Sequence, residues 1–334
     1  MAPAVVAIDI VICTYNRASS LDGVLSALSA QRVGRGVSWS VLVVDNGSTD
    51  LTADVVEIHR LRHSVPGLRR VVESEQGLTP ARRCGARETS APWIAFVDDD
   101  NLPEPRWLNS IAEAIRLHPH AGAIGGRVIL DWERRPPNCF ENFGYCFAEQ
   151  DCDVACEMTT LVGAGMVVRR EALAECGWLE RPLIADRVGK RLISGGDIEI
   201  AQRIRGRGDA LWYTPDAVLH HRISRGRISW RYLLRINYGL GVGKALVTAL
   251  VWPNDWPAWR RAAIRRSVKG LVRPLRRPEG FICTLGYLFF GIGFARGVLA
   301  CMAMPPEDRQ ALLGAAAPKW TPSALAARAT ASCS

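Results

Sequence analysis

Three apolar runs, each stopping at polar residues and each followed by a helical pattern, constrain this chain more than any other feature. Ile8–Cys13 (apolar but for Asp9), Ser40–Val44 and Trp93–Val97 are short and rich in β-branched or aromatic residues, as strands buried on both faces are. Leu21, Val24, Leu25 and Leu28 then recur at i, i+3, i+4 and i+7 behind a cap at Ser19 or Ser20. Leu51, Val55, Val56 and Ile58 follow a cap at Ser48 or Thr49, and Trp107, Leu108, Ile111 and Ile115 follow Pro103 and Pro105. Such alternation over the first 130 residues predicts a mostly parallel sheet with crossover helices on both faces.

The runs also end alike, at Thr14-Tyr15-Asn16, at Asp45-Asn46 and at Asp98-Asp99-Asp100. Ligands of open parallel sheets bind outside the carboxyl ends of the strands, near a topological switch point. Independent surface turns would not repeat that arrangement three times. The three adjacent carboxylates repel one another, so folding alone gives no reason for them. A divalent cation bound with a phosphate group does, and hard carboxylate oxygens suit Mg²⁺ or Mn²⁺. Side chains at i and i+2 of an extended segment share a face, so Asp98 and Asp100 are expected to converge while Asp99 points elsewhere. An acidic surface turn is the structural alternative.

Beyond residue 130 the pattern loosens. Ala123-Ile124 and Val128-Ile129-Leu130 suggest a strand broken at Gly125-Gly126. Asp131 to about Val162 is irregular and holds Cys139, Cys146, Cys152 and Cys156. No Cys-x-x-Cys pair occurs there, so ordinary thiols are expected in preference to structural zinc. Gly163–Val168 resumes a strand-like pattern. Gly195-Gly196-Asp197 leads into a helix with Ile198, Ala201 and Ile204, and Leu211–Leu219 reads as a strand ahead of His220-His221.

Taken in order, Thr14-Tyr15-Asn16-Arg17, Asp45-Asn46-Gly47-Ser48-Thr49-Asp50, Asp98-Asp99-Asp100 and Gly196-Asp197-Ile198-Glu199 resemble family-2 glycosyltransferases of the GT-A fold. Gly77-Leu78-Thr79-Pro80-Ala81-Arg82-Arg83 looks like that family's linker to the acidic strand. The likeness extends through Pro215–His221 to Tyr238-Gly239-Leu240-Gly241, and is strongest for bacterial enzymes of exopolysaccharide synthesis. The resemblance implies a nucleotide-sugar donor, a Mg²⁺ or Mn²⁺ cofactor and a saccharide or lipid-linked acceptor. It implies that Tyr15 lies against the base with Thr14 and Asn16 beside it, that Asp45 bonds the base edge, and that Arg82 lies near base or diphosphate. Asp98 would contact the ribose, Asp99 the donor or metal, and Asp100 with His221 the metal. Asp197 matches the general-base position, although the usual Gly-Glu-Asp reads Gly196-Asp197 here, and Glu199 is the fallback. Direct attack by the acceptor implies inversion at the anomeric carbon. The alternatives are a membrane-bound scaffold that binds a sugar nucleotide without turning it over, and a sugar nucleotidyltransferase. The latter needs a Gly-rich phosphate loop after the first strand, which Thr14-Tyr15-Asn16-Arg17 does not resemble.

The net charge of +9 is concentrated. Arg260, Arg261, Arg265, Arg266, Lys269, Arg273, Arg276 and Arg277 lie between Trp256 and Pro278 with no acid among them. Phe281–Met304 follows, 24 residues whose only charge is Arg296. That length suffices to cross a hydrocarbon core of roughly 30 Å. Basic and hydrophobic together, residues 256–304 predict a membrane surface as partner, through a span, a re-entrant or in-plane helix, or a helix buried on the catalytic domain. Nucleic acid is not expected, for no nucleic-acid module accompanies the charge. The ten cysteines form no even framework and no signal-peptide pattern precedes them, so the cytoplasmic face of the cell membrane is the expected location. The expected organisation is a catalytic domain over 1–245, split into nucleotide-sugar (1–130) and acceptor (131–245) halves, membrane-associating helices over 246–310, and a loosely ordered tail over 311–334.

Overall fold

The computed structural model describes residues 5–184, 186–187, 192–276 and 280–316. Its first part alternates as expected: β1 (Val6–Thr14), α1 (Ala18–Ser29), β2 (Val37–Asp45), α2 (Thr52–Leu61), β3 (Arg69–Val72), α3 (Leu78–Arg87) and β4 (Trp93–Asp98). Next come β5 (Asn101–Pro103), α4 (Trp107–Leu117), β6 (Ala123–Trp132), β7 (Cys156–Met158), β8 (Met166–Arg169), α5 (Arg170–Glu175), α6 (Gly196–Arg207) and β9 (Leu211–Ile223). The strands form one mixed sheet in the order β3-β2-β1-β4-β8-β6-β9-β5, with β7 pairing β9. β1, β2, β3 and β4 are parallel, whereas β8 runs antiparallel to β4 and β6.

Alternation along each strand divides the core between the two faces. Ile8, Ile10 and Ile12 of β1 pack with Leu21, Val24, Leu25 and Leu28 of α1 and with Trp107, Leu108 and Ile111 of α4. Val11 faces the other way, with Leu42, Ile94 and Phe96, against Ala81 and Ala86 of α3 and Ile200, Ala201 and Ile204 of α6.

Several local expectations differ from the structure. Ser19 and Ser20 lie inside α1. The N–H of Ala18 instead donates to Asp50 Oδ2 (3.1 Å), while Asp50 Oδ1 accepts from Thr52 N (3.1 Å) at the start of α2. One carboxylate serves both helix starts, where negative charge is favourable. Leu51 and Ile58 are exposed and Val56 carries the buried face of α2. Pro103 ends a short strand instead of opening a helix. β6 runs unbroken through Gly125-Gly126, because its pairing with β9 absorbs a register shift between Gly126 and Arg127.

The C-terminal part is helical: α7 (Trp230–Leu250), α8 (Trp256–Arg276), α9 (Phe281–Ala303) and α10 (Pro306–Leu312). α9 runs parallel to α7, with Gly293 against the Tyr238 backbone and Gly297 against Val242. α8 runs antiparallel to α9, pairing Gly270 with Gly291 and Arg266 with Phe294. By length and composition α9 could cross a membrane, yet 39% of its apolar window is buried inside the protein. The position after residue 245 falls inside α7, whose Leu246 and Leu250 join Trp259, Phe294, Leu312 and Ala316 in one cluster. After α10 the chain returns to α7, where Ala316 N donates to the Leu250 carbonyl (2.9 Å). Of the tail expected over 311–334, residues 317–334 lie outside the described residues.

Candidate active site

The sheet reverses direction beyond β4, and a cleft opens at the carboxyl ends of β1 and β4. It has two lobes that share Leu78, Asp98 and Arg187. The first, about 200 Å³, is bounded by Thr14, Tyr15, Arg17, Asn46, Gln76 and the three aspartates. Tyr15 is 47% exposed there, a free ring face at the strand end. All three carboxylates line this lobe, contrary to the expectation for Asp99. The strand stops at Asp98 and the chain turns through Asp99 and Asp100, so alternation ends with it. Asp99 accepts from Thr14 Oγ1 (2.8 Å), and burial with the neighbouring Asp100 pushes its carboxyl up to about 7.

Two other residues expected at the ligand serve the scaffold. Asn16, at φ +52°, accepts from Thr49 N (2.8 Å) and donates its own N–H to Ser48 Oγ (2.9 Å), joining the loops after β1 and β2. Asp45 is 2% exposed, accepts from Ser48 N (2.8 Å) and lies 3.7 Å from Arg70 Nε. Its neighbour Asn46 reaches the lobe wall instead.

At the far side of the acidic turn, β5 pairs with β9 so that Asn101 faces His221, and Arg222 N donates to the Asp100 carbonyl (2.9 Å). Successive side chains of β9 alternate, sending His220 outward to Glu104 (2.9 Å) and His221 inward. His221 Nδ1 donates to the Phe147 carbonyl (2.6 Å), which leaves the Nε2 lone pair facing Asp100 Oδ1 at 3.4 Å. Arg227 Nη1 donates to both, at 3.1 Å to Nε2 and 3.0 Å to Asp100 Oδ2. Burial opposes ionisation of Asp100, but the positive guanidiniums of Arg227 and Arg187 favour the charged form and hold the carboxyl below its usual range. A carboxylate oxygen and an imidazole lone pair at this separation fit two ligands of one divalent cation, with phosphate oxygens to complete the shell. The guanidinium of Arg227 occupies that electropositive position.

The second lobe, about 120 Å³, lies between Tyr145, Leu161, Ile236 and Leu240 and the start of α6. Asp197 heads that helix. Its Oδ2 accepts from Gly163 N (2.7 Å) and its Oδ1 from Ile198 N (2.9 Å), which fixes the carboxylate while leaving each oxygen a further lone pair. Glu199, the fallback base, is fully buried and bonded to Leu183 N, Ile184 N and Arg203, so it cannot meet an acceptor. Arg82, 4% exposed, sits over Phe96 with Asp98 at 3.4 Å and Asp186 at 3.5 Å, and lines this lobe instead of the first.

Asp186, Arg187, Arg227 and Tyr145 are site residues that no motif announced. Asp186 carries a particular clue. A Cβ on Gly196 would come within 3.0–3.3 Å of its carboxylate, so Asp186 fills the space of the glutamate missing from Gly196-Asp197. Gly196 and Asp186 are complementary parts of one departure from the common pattern.

Residues 9–177, half of the chain, match the profile of glycosyl transferase family 2. The chain belongs to that family. The glycosyltransferase is 38% identical over 127 residues to validoxylamine A glucosyltransferase of Streptomyces hygroscopicus, covering 37% of this chain and 28% of that enzyme. It is 22% identical over 256 residues to glucosyl-dolichyl phosphate glucuronosyltransferase of Haloferax volcanii, covering 73% and 78%. With the succinoglycan biosynthesis protein ExoM of Rhizobium meliloti it shares 26% over 236 residues, covering 70% and 72%. The chain therefore spans under a third of the first of these relatives. Staphylococcus aureus TarS 1–349, crystallised with UDP-GlcNAc, superposes with a TM-score of 0.52 at 15% identity, over 87% of this chain and 92% of that one. That likeness is one of fold, the GT-A arrangement of a mixed sheet flanked by helices.

Proposed function

We propose that this glycosyltransferase moves a sugar, with inversion, from a nucleoside-diphosphate donor to a hydroxyl of a lipid-linked or growing polysaccharide acceptor. The observation that carries the reading is the cleft itself. Asp98–Asp100 line one lobe, Asp197 lines the other, and Asp98, Leu78 and Arg187 belong to both. A donor lying in the first lobe would stack its base on Tyr15 and direct its diphosphate towards the acidic turn and Arg187. Uridine is the base we favour, and TarS, the neighbour in fold, was crystallised with UDP-GlcNAc.

Asp100 and His221 would hold a divalent cation, Mg²⁺ or Mn²⁺. When bound, such a cation supplies Lewis-acid stabilisation of the charge on a departing diphosphate. The chain's own residues do the rest. Asp197, fixed by Gly163 N and Ile198 N, takes the proton of the acceptor hydroxyl. Tyr145, Ile236 and Leu240 give the acceptor lobe apolar walls that suit a sugar face or the first part of a lipid carrier. With Asp197 as proton acceptor the hydroxyl attacks the anomeric carbon directly, which inverts it.

The second reading is a non-catalytic binder of sugar nucleotide, favoured by the absence of a glutamate at Gly196; the Asp186 carboxylate in that space weighs against it. Release of nucleoside diphosphate from a panel of sugar nucleotides, with Mg²⁺ or Mn²⁺ and membranes present, separates the two. Turnover should fall roughly 10²–10⁴-fold in Asp197→Asn with donor binding retained, and disappear in Asp100→Ala. Tight donor binding without turnover, even with lipid-linked acceptors, would establish the binder.

A further inference from the structure

Exposed apolar side chains concentrate on α8 and α9. On α8, Ile264, Val268 and Leu275 are 46%, 56% and 63% exposed, and with half-buried Leu271 they fall at i, i+4, i+7 and i+11. On α9, Phe281, Ile292 and Leu299 are 80%, 40% and 57% exposed, with half-buried Leu285 and Leu288 between them. At 100° per residue, the apolar line of α8 lies about 110° around the helix from the line that meets α9. The apolar line of α9 lies about 120° from Gly291 and Phe294, which meet α8. The two helices are antiparallel, so both rotations turn to the same side and the two lines make one face, with α7 behind it.

Cations rim this face. On α8 the exposed Arg260 and Arg261 lie about 50° and Arg265 about 90° from the apolar line, exposed Lys269 follows further round, and the helix contains no acid. A basic amphipathic helix beside a second apolar line has the chemistry of an anionic lipid surface. We propose that this face docks on an anionic bilayer, with α8 and α9 lying in its plane and neither crossing it.

A crossing would have to undo backbone packing. Gly241 lies against the Phe290 carbonyl and Gly293 against the Tyr238 carbonyl, contacts that leave no room for a Cβ. α7 is held in turn by Gly239 on Leu192, Gly243 on Ser194 and the bond from Tyr145 to Asn237 (2.7 Å). Taking α9 into hydrocarbon would strip it from the wall of the acceptor lobe and carry Arg296 with it. In the plane of the headgroups both costs vanish, since exposed Arg296 reaches water or phosphate directly.

The proposal goes beyond the transfer reaction, and its test reads lipid binding, not turnover. The full chain is sedimented with phosphatidylcholine vesicles, with and without phosphatidylglycerol, and bound protein is washed in alkaline carbonate. Ile264→Glu/Val268→Glu and Arg261→Gln/Arg265→Gln/Lys269→Gln are compared with wild type, with donor binding as the check that each folds. Wild type should bind only the anionic vesicles and be released by carbonate. The apolar double variant should not bind. The charge variant should bind roughly 100-fold more weakly, because each surface cation is worth about fivefold in partitioning. Retention through carbonate, unchanged binding in either variant, or no vesicle binding with an oligomer that Ile264→Glu/Val268→Glu splits, would each overturn it.

Discussion

Asp186 shows what one buried carboxyl can report. It is 3% exposed, Arg82 lies 3.5 Å from one oxygen, and the other oxygen has no hydrogen-bond partner among the described residues. Burial, and then the charge of Asp197, push it up to about 6. An unfolded aspartate titrates near 3.9, so between about pH 4 and 6 the folded protein holds a proton that the unfolded chain has lost. The stability this gives is complete below about pH 4 and is lost as pH rises through about 6. Asp186→Asn stays neutral throughout. Its melting temperature should match wild type at pH 4 and exceed it by about 2–4 °C at pH 8; a gap that does not change with pH would refute the assignment. Arg227 makes a second residue-scale prediction. With Arg227→Gln the cation leaves the Asp100–His221 pair, so added Mn²⁺ should raise the melting temperature more in the variant than in wild type. An equal rise in both would mean that Arg227 does not compete for that position.

Among the elements, those with continuous apolar runs were legible. β1, β2 and β4 sit where Ile8–Cys13, Ser40–Val44 and Trp93–Val97 indicate, extended by one to three residues at their ends. β3 and α3 were not. Arg69–Val72 is an outer strand with little burial and no alternation, and Leu78–Arg87 carries Pro80 and Gly85, poor helix residues on their own. α3 forms because Gly85 lets it press on Val11. As lining of the cleft, Asp98–Asp100, Asp197 and His221 were legible because order and spacing single them out. Arg227 was one cation among several, and the short turn after β9 that aims it exists only in three dimensions. The helical part predicts its own energetics. Gly→Ala in a helix interior ordinarily gains up to about 1 kcal/mol. Gly241→Ala should instead lose about 1–3 kcal/mol or more in urea unfolding, because the methyl meets the Phe290 carbonyl. Gly226→Ala, with nothing within 4 Å, should stay within about 0.5 kcal/mol of wild type.

For the whole molecule, the sheet-bearing and helical parts are joined through α7. One side of that helix carries Ile236 and Leu240 into the second lobe of the cleft, and the other packs on α9. Ending the chain after residue 245 would remove Leu246 and Leu250 from α7 and every partner in their cluster from α8 to α10. Such a truncated protein should aggregate or lose the cooperative melt of the full chain, whereas one ending after Ala316 should melt as the full chain does. Gel filtration and calorimetry of the two decide the point.

The pairing of β5 with β9 has a consequence for how sequences like this one can diverge. Slipping β9 by one residue along β5 would turn His221 outward and present a neighbour to Asp100. In one direction that neighbour is His220, another imidazole; in the other it is Arg222, a fixed cation. Insertions and deletions near the end of this strand are therefore not equivalent. One kind keeps an imidazole beside the Asp100 carboxylate, and the other sets a fixed cation there in a single event.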